Sequence, residues 1–265
     1  MNTPAEIAEL YIMVGDGKTS RKSWVLFILG CFAGAFIAFA GLTSQVVSCG
    51  AVSANVGRFL SGVVFPVGLV MVVIASGELF TGNCLIFISV LSKNTYVSAM
   101  LRTWLFVYLG NLVGSALIAA LANFGHVLDL YDVKLAELVV SAANAKVSMT
   151  FVDALIKGTL CNFLVCVAIW MSFATEEIHG KIPVLYLPIA LFVICGFEHS
   201  VANMYFIPVG IIAKYLYHIP AENLTVLNYF WKNLLPVTLG NIIGGSFIVG
   251  AGYWLVFLMR QEEDD

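Results

Sequence analysis

Two stretches of the chain are too long and too apolar to be ordinary segments of a water-soluble protein. From Gly62 to Leu91 and again from Val184 to Ala213, 30 residues pass with almost no charge; Glu78 interrupts the first and Glu198 with His199 the second. As unbroken helices each would be about 45 Å long, against roughly 30 Å of hydrocarbon in a bilayer. The ionisable residues fall near the middle, where tilting cannot carry them to water. Both helices are therefore expected to break at mid-membrane, a pattern that marks binding sites in transporters and channels.

The rest of the chain agrees. Of 265 residues 60% are hydrophobic and 11% charged, with a mean hydropathy of +0.95. A soluble domain carries about 25% charge, so a soluble enzyme is excluded. A net charge of -3 offers no basic face for nucleic acid. Further apolar runs at 24–47, 103–125, 158–175 with its entry turn, and 233–259 make six spans in all. The fold class is an all-α membrane protein, read as a single domain over 1–265. The six cysteines sit mostly in apolar runs without a CxxC pair and read as small apolar fillers; no metal or cofactor is implied.

Residues 1–23 are polar and amphipathic, which does not describe a signal peptide. Thr3-Pro4-Ala5-Glu6 supplies a capping hydroxyl, a proline at the first helical position and a reciprocal glutamate. Ile7, Leu10, Tyr11 and Val14 follow at helical spacing, and Gly15 can end the turn. Such a helix either lies on the membrane surface or plugs a cytoplasmic mouth; the surface anchor is the preferred reading.

An internal repeat is visible. Gly110-Asn111-Leu112-Val113-Gly114-Ser115 in the third span recurs as Gly240-Asn241-Ile242-Ile243-Gly244-Gly245-Ser246 in the sixth, and Glu78-x4-Asn83 recurs as Glu198-x4-Asn203. Repeats of three spans, 24–123 and 151–259, must lie in opposite orientation, with their paired breaks facing each other. With both termini inside, Lys18, Arg21, Lys22, Lys93, Arg102, Lys181 and Arg260 are cytoplasmic. Arg58, Lys134, Lys146, Lys214 and Lys232 are then outside, and the basic excess favours this orientation.

Ionisable residues within spans point to a pathway or relay. Asp153 and Lys157, four apart at the entry to the fourth span, read as a self-neutralising pair. Glu78 and Glu198 each stand beside a break and a glycine, Gly77 or Gly196. Two roles are open: a clasp that accepts freed backbone N–H groups, which is preferred, or a proton or cation site. His199 can donate a hydrogen bond or a proton to a permeating anion, with Ser200, Asn203, Thr81 and Asn83 completing a polar lining. The GNxxG repeats, and Gly30-x3-Gly34, fit close helix packing. No HExxH, P-loop or nucleophile elbow is present, so the chain is not read as an enzyme.

At these residues the chain resembles the formate/nitrite transporter family. Ala75-Ser-Gly-Glu-Leu-Phe-Thr-Gly82 is similar to its first signature and Gly158-Thr-Leu-Cys-Asn-Phe-Leu-Val-Cys-Val-Ala168 to its second. Gly196-Phe-Glu-His-Ser-Val-Ala-Asn-Met204 resembles its central histidine segment, and Ser76 stands where the family often has glycine. The resemblance implies an aquaporin-like protomer in a homopentamer, one pore per protomer, in a bacterial inner membrane. The implied cargo is hydrosulfide, formate or nitrite, in some members acetate or lactate. It matches Lys146 to a vestibule lysine, Thr81 to the hydroxyl of the broken helix and His199 to the central histidine. Asn162 and Asn203 match polar supports of the pore centre. Leu69, Leu79, Phe80, Val165 and Phe192, with Phe65 more loosely, match apolar positions around the constrictions.

Among the anions, the Leu-Phe-Thr-Gly-Asn run and the compact loops look closest to the hydrosulfide branch. The alternative is a formate or nitrite channel or proton-linked transporter of the same family. A water pore would show Asn-Pro-Ala at both breaks, and neither break here has it.

Overall fold

The computed structural model describes residues 1–259; Arg260, counted above among the cytoplasmic charges, lies outside them. An N-terminal helix α1 (Pro4–Thr19) precedes α2 (Ser23–Ser48), the first span. The second span is divided into α3 (Ala54–Ile74) and α4 (Phe80–Leu91), and α5 (Val97–Phe124) forms the third. An extra helix, α6 (Lys134–Val147), leads into α7 (Phe151–Ser172). The fifth span is divided into α8 (Ile178–Cys195) and α9 (Ser200–Leu216), and α10 (Val226–Phe257) is the sixth. This is an all-helical membrane fold with six candidate spans, the second and fifth interrupted.

Several spans start before their apolar runs do. Hydropathy locates the hydrocarbon-facing residues, whereas a helix starts where its first N–H groups find acceptors. Ser53, Thr150 and Thr225 supply those acceptors to the N–H groups of Val56, Asp153 and Asn228 at the starts of α3, α7 and α10. Within α10, Tyr229–Leu234 and Ile243–Gly250 are wound as π-helix.

The two breaks are closed by the same turn. Ser76 and Gly196 both adopt left-handed φ values, +62° and +70°. The next N–H in each case, from Gly77 or Phe197, reaches back to the carbonyl of Val72 or Phe192 at 2.7 and 3.0 Å. This is the Schellman closure of a helix. Glycine adopts that conformation without strain, and Ser76 adopts it as well.

Small residues set the frame around the breaks. A side chain on Gly34, Gly110 or Gly114 would strike main-chain atoms across the α2–α5 contact. The same holds for Gly158, Gly240 and Gly244 between α7 and α10. The repeats in the third and sixth spans thus pack as their spacing predicts.

The N-terminal helix is docked and not a free surface anchor. Ile7, Ala8, Tyr11, Gly15 and Thr19 are buried, and Tyr11 packs against Trp170 and Phe173. Gly15 does not end the helix; it lies against Ser89 of α4, whose Oγ donates to the Ile12 carbonyl at 2.9 Å. The apolar spacing that suggested lipid contact is satisfied by protein. The Thr3–Glu6 capping box is formed, and the hydrogen bonds from Thr3 hold the Glu6 carboxyl below the usual carboxylate range.

Candidate functional site

Breaking a helix inside a membrane frees backbone groups that have no water to bind. An asparagine from each repeat takes up that load. The Asn111 Oδ1 accepts from the Phe80 N–H at 2.9 Å, while its Nδ2 donates to the carbonyls of Gly30 and Glu78 at 2.9 and 2.8 Å. In the second repeat, Asn241 Oδ1 accepts from Ser200 N–H at 2.9 Å, and Nδ2 donates to the carbonyls of Gly158 and Glu198 at 2.8 and 3.1 Å. Both asparagines are fully buried. They are the clasps of the two breaks.

Glu78 and Glu198 do not hold backbone N–H groups, which corrects the clasp reading. The carboxylate of Glu78 is held by Lys18 and Arg21, each at 2.6 Å, and by Asn83 Nδ2 at 2.9 Å. That of Glu198 is held by Lys146 at 2.8 and 3.0 Å and by Asn203 Nδ2 at 2.7 Å. Both carboxylates are nearly buried, where a charge is costly unless paired. The freed N–H groups went to an amide, which can also donate to the nearby carbonyls; a carboxylate cannot. Each Glu-x4-Asn repeat thus builds a lysine–carboxylate–amide cluster.

The clusters sit in two cavities on opposite sides of the protein. The one beside α1 has a volume of about 280 Å³ and includes Lys18, Arg21, Lys181 and Glu78 in its lining. The far one, about 440 Å³, includes Arg58, Lys146, Lys157 and Glu198. Each vestibule thus holds three cations against one carboxylate. The pairing of Asp153 with Lys157 is not formed. Asp153 completes the cap of α7 instead, with its carboxylate 2.6 Å from Thr150 Oγ1, and Lys157 turns into the vestibule.

Between the vestibules lies a chamber of about 10 Å³, bounded by Ile37, Phe65, Leu69, Leu79, Val165, Ile189, Phe192 and His199. That is close to the space one water needs. The two breaks meet here, with Thr81 Oγ1 2.8 Å from His199 Nε2. His199 Nδ1 accepts from the Ala202 N–H at 3.0 Å and so caps α9. With Nδ1 committed as acceptor, the neutral ring carries its proton on Nε2. The ring stacks on Phe192, centroids 6.0 Å apart.

Comparison with known proteins now decides the family. Residues 5–255 match the family model described as formate/nitrite transporter. The chain belongs to the formate/nitrite transporter family. It is therefore a multi-pass membrane transport protein and not an enzyme. Among similar members is a probable formate transporter of Methanothermobacter thermautotrophicus, 37% identical over 97% of each chain. Another is the formate channel FocA of Escherichia coli (strain K12), 34% identical over 98% of this chain and 95% of that one. Of solved structures, a pentameric formate channel with formate bound is 35% identical, with TM-score 0.80 over 89% of this chain and 98% of that one. An FNT family ion channel is 28% identical, with TM-score 0.85 over 94% and 98%.

Against the positions matched to the family, His199, Phe65, Leu69, Leu79, Val165 and Phe192 converge on the chamber. Phe80 does not. Its ring packs edge-on against Trp104 and Tyr108 at 5.7 and 4.9 Å, in a groove on the apolar flank. Side chains of neighbouring residues at the break point apart, so Leu79 and Phe80 cannot both face the passage. Asn162 lies behind the lining, donating to the carbonyls of Thr81 and Asn241 at 3.2 and 2.6 Å. Sequence reasoning missed Ile37 and Ile189, the vestibule cations Lys18, Arg21, Arg58 and Lys181, and the clasps Asn111 and Asn241. The asparagines carried a signal: a polar residue at the same place in two apolar repeats.

Proposed function

We propose that the protein is a channel for small monovalent weak-acid anions, with formate as its substrate. The carrying observation is the Thr81–His199 contact, set in an apolar chamber between two vestibules of positive balance. Low-dielectric walls strengthen the field of the vestibule cations and raise the local anion concentration. Lys146 contributes to this field while holding Glu198, and Asn203 fixes Glu198 in turn.

Passage through the chamber is the costly step, because a bare anion loses its hydration against Leu69, Leu79, Phe65, Val165 and Phe192. Formate is larger than a water molecule, so these side chains must yield as it passes. The compensating donors are His199 Nε2–H and the Thr81 hydroxyl. Loss of the Nε2 proton from the neutral ring would leave an imidazolate. The neutral ring therefore polarises the anion through Nε2–H and does not protonate it. Asn162 supports the site by fixing the Thr81 carbonyl.

Formate replaces the leaning toward hydrosulfide for two reasons. Similar relatives include a formate channel, a probable formate transporter and a solved formate channel with formate bound. Nitrogen and oxygen donors also suit a carboxylate, which accepts strong hydrogen bonds, better than the diffuse charge of HS⁻. The pentameric description of the solved formate channel supports a homopentamer in the lipid bilayer. The Lys and Arg distribution supports α1 facing the cytoplasm, and bacterial relatives such as that of Escherichia coli support a bacterial cell membrane.

The test is His199→Phe in proteoliposomes. Formate flux should be abolished while the oligomer keeps its size in detergent; undiminished flux would remove His199 from the pathway.

A further inference from the structure

We infer that Arg58 and Lys157 form an anion-capture site in the far vestibule, and that they, more than Lys146, draw the anion in. The inference rests on the anion-channel reading above and locates its entry step. Lys146 is already spoken for, since both of its contacts to Glu198 are at hydrogen-bond length. The pair is formally neutral, and its field falls off quickly with distance. The net charge of the vestibule therefore comes from its other two cations.

Neither has a compensating partner. Among the described residues no carboxylate lies within ion-pair distance of Arg58 or Lys157, whereas Lys18, Arg21 and Lys146 all have one. Among the described residues the hydrogen-bond partner of the Lys157 ammonium is Met149 Sδ, at 3.8 Å, a weak acceptor. The guanidinium of Arg58 lies over Gly196 at the fifth-span break, where a Cβ would stand 3.1 Å from Nη1. The Lys157 carbonyl accepts the Glu198 N–H at 3.3 Å, which ties this residue to the same break. Arg58 comes from the first repeat and Lys157 from the second, so the two halves of the protein each place one free cation in this cavity.

The ligand this arrangement fits is a small monovalent oxyanion. A guanidinium presents paired N–H donors that match the two oxygens of a carboxylate, and an unpaired ammonium adds a point charge. Phe65, Phe192, Phe197 and Phe206 line the same cavity and keep its walls apolar. The field of two unpaired charges there is screened far less than on an open surface.

The experiment compares wild type with the double variant Arg58→Gln/Lys157→Gln in a planar bilayer, with formate added on the side of the far vestibule. Half-saturation should rise by about 10-fold at low ionic strength, the lower end of electrostatic steering. The difference should shrink as inert salt is raised. The charge-conserving Arg58→Lys/Lys157→Arg variant should restore the wild-type curve, which separates lost charge from damaged packing. An unchanged half-saturation in the double variant, with wild type conducting, overturns the capture site and leaves the channel reading standing. A deficit that persists equally at high salt also overturns it. A wild-type protein that carries no anion overturns the channel reading itself.

Discussion

At the scale of single residues, the two broken helices depend on Asn111 and Asn241. Each amide is fully buried and makes three hydrogen bonds to backbone groups. Leaving a buried polar group unpaired costs about 1–3 kcal/mol. Asn111→Ala and Asn241→Ala should therefore each destabilise by at least about 2 kcal/mol, read as an earlier unfolding midpoint in denaturant titrations in detergent. Wild-type midpoints in both would disprove the clasp role. The two glutamates illustrate what sequence could and could not tell. Their cost in the membrane singled them out correctly as residues that need partners. Which cations they pair with depends on chain segments 52 to 60 residues away, and no local pattern encodes that. Asp153 and Lys157 show the opposite error, since a favourable i,i+4 spacing was overruled by a nearer cap and a nearby cavity.

At the scale of elements, α1 is bound to the break through Lys18 in its last turn and Arg21 just beyond it. Lys18 and Arg21 reach Glu78, and Ser89 receives Gly15 on the face of α4. Glu78→Gln removes the charge that both cations hold, leaving the Asn111 clasp intact. Amide hydrogen exchange across residues 4–19 should then speed up while exchange in α2 and α5 stays slow. Equal protection of α1 in variant and wild type would mean that packing alone docks it. A second test is Gly15→Val, whose side chain would collide with Ser89; it should produce the same loosening. The broken second and fifth spans were legible because 30 apolar residues exceed the bilayer and each carries a central charge. The docking of α1 was not, because the same apolar face serves protein and lipid equally well.

At the scale of the whole molecule, the inverted repeat explains most of the design and its exceptions locate the chemistry. Both halves supply a Schellman turn, an asparagine clasp and a lysine–carboxylate–amide cluster. The halves differ at the centre: the residue after Glu78 is Leu79, and the residue after Glu198 is His199. At this one position the first half gives the chamber an apolar side chain and the second a ring N–H donor. This division was partly readable, since the repeat and the histidine both stand out in the chain. The vestibule charge balance was not, because Lys18, Arg58, Lys157 and Lys181 are brought to the two mouths only by folding.

The identity of the permeating anion is the central question for this pore. Proteoliposomes containing the wild-type protein, loaded in parallel with formate, nitrite and sulfide at one pH, give the most direct comparison. Formate should move fastest, and its flux should disappear in His199→Phe. Hydrosulfide outpacing formate through a pore that still requires His199 would contradict the formate assignment.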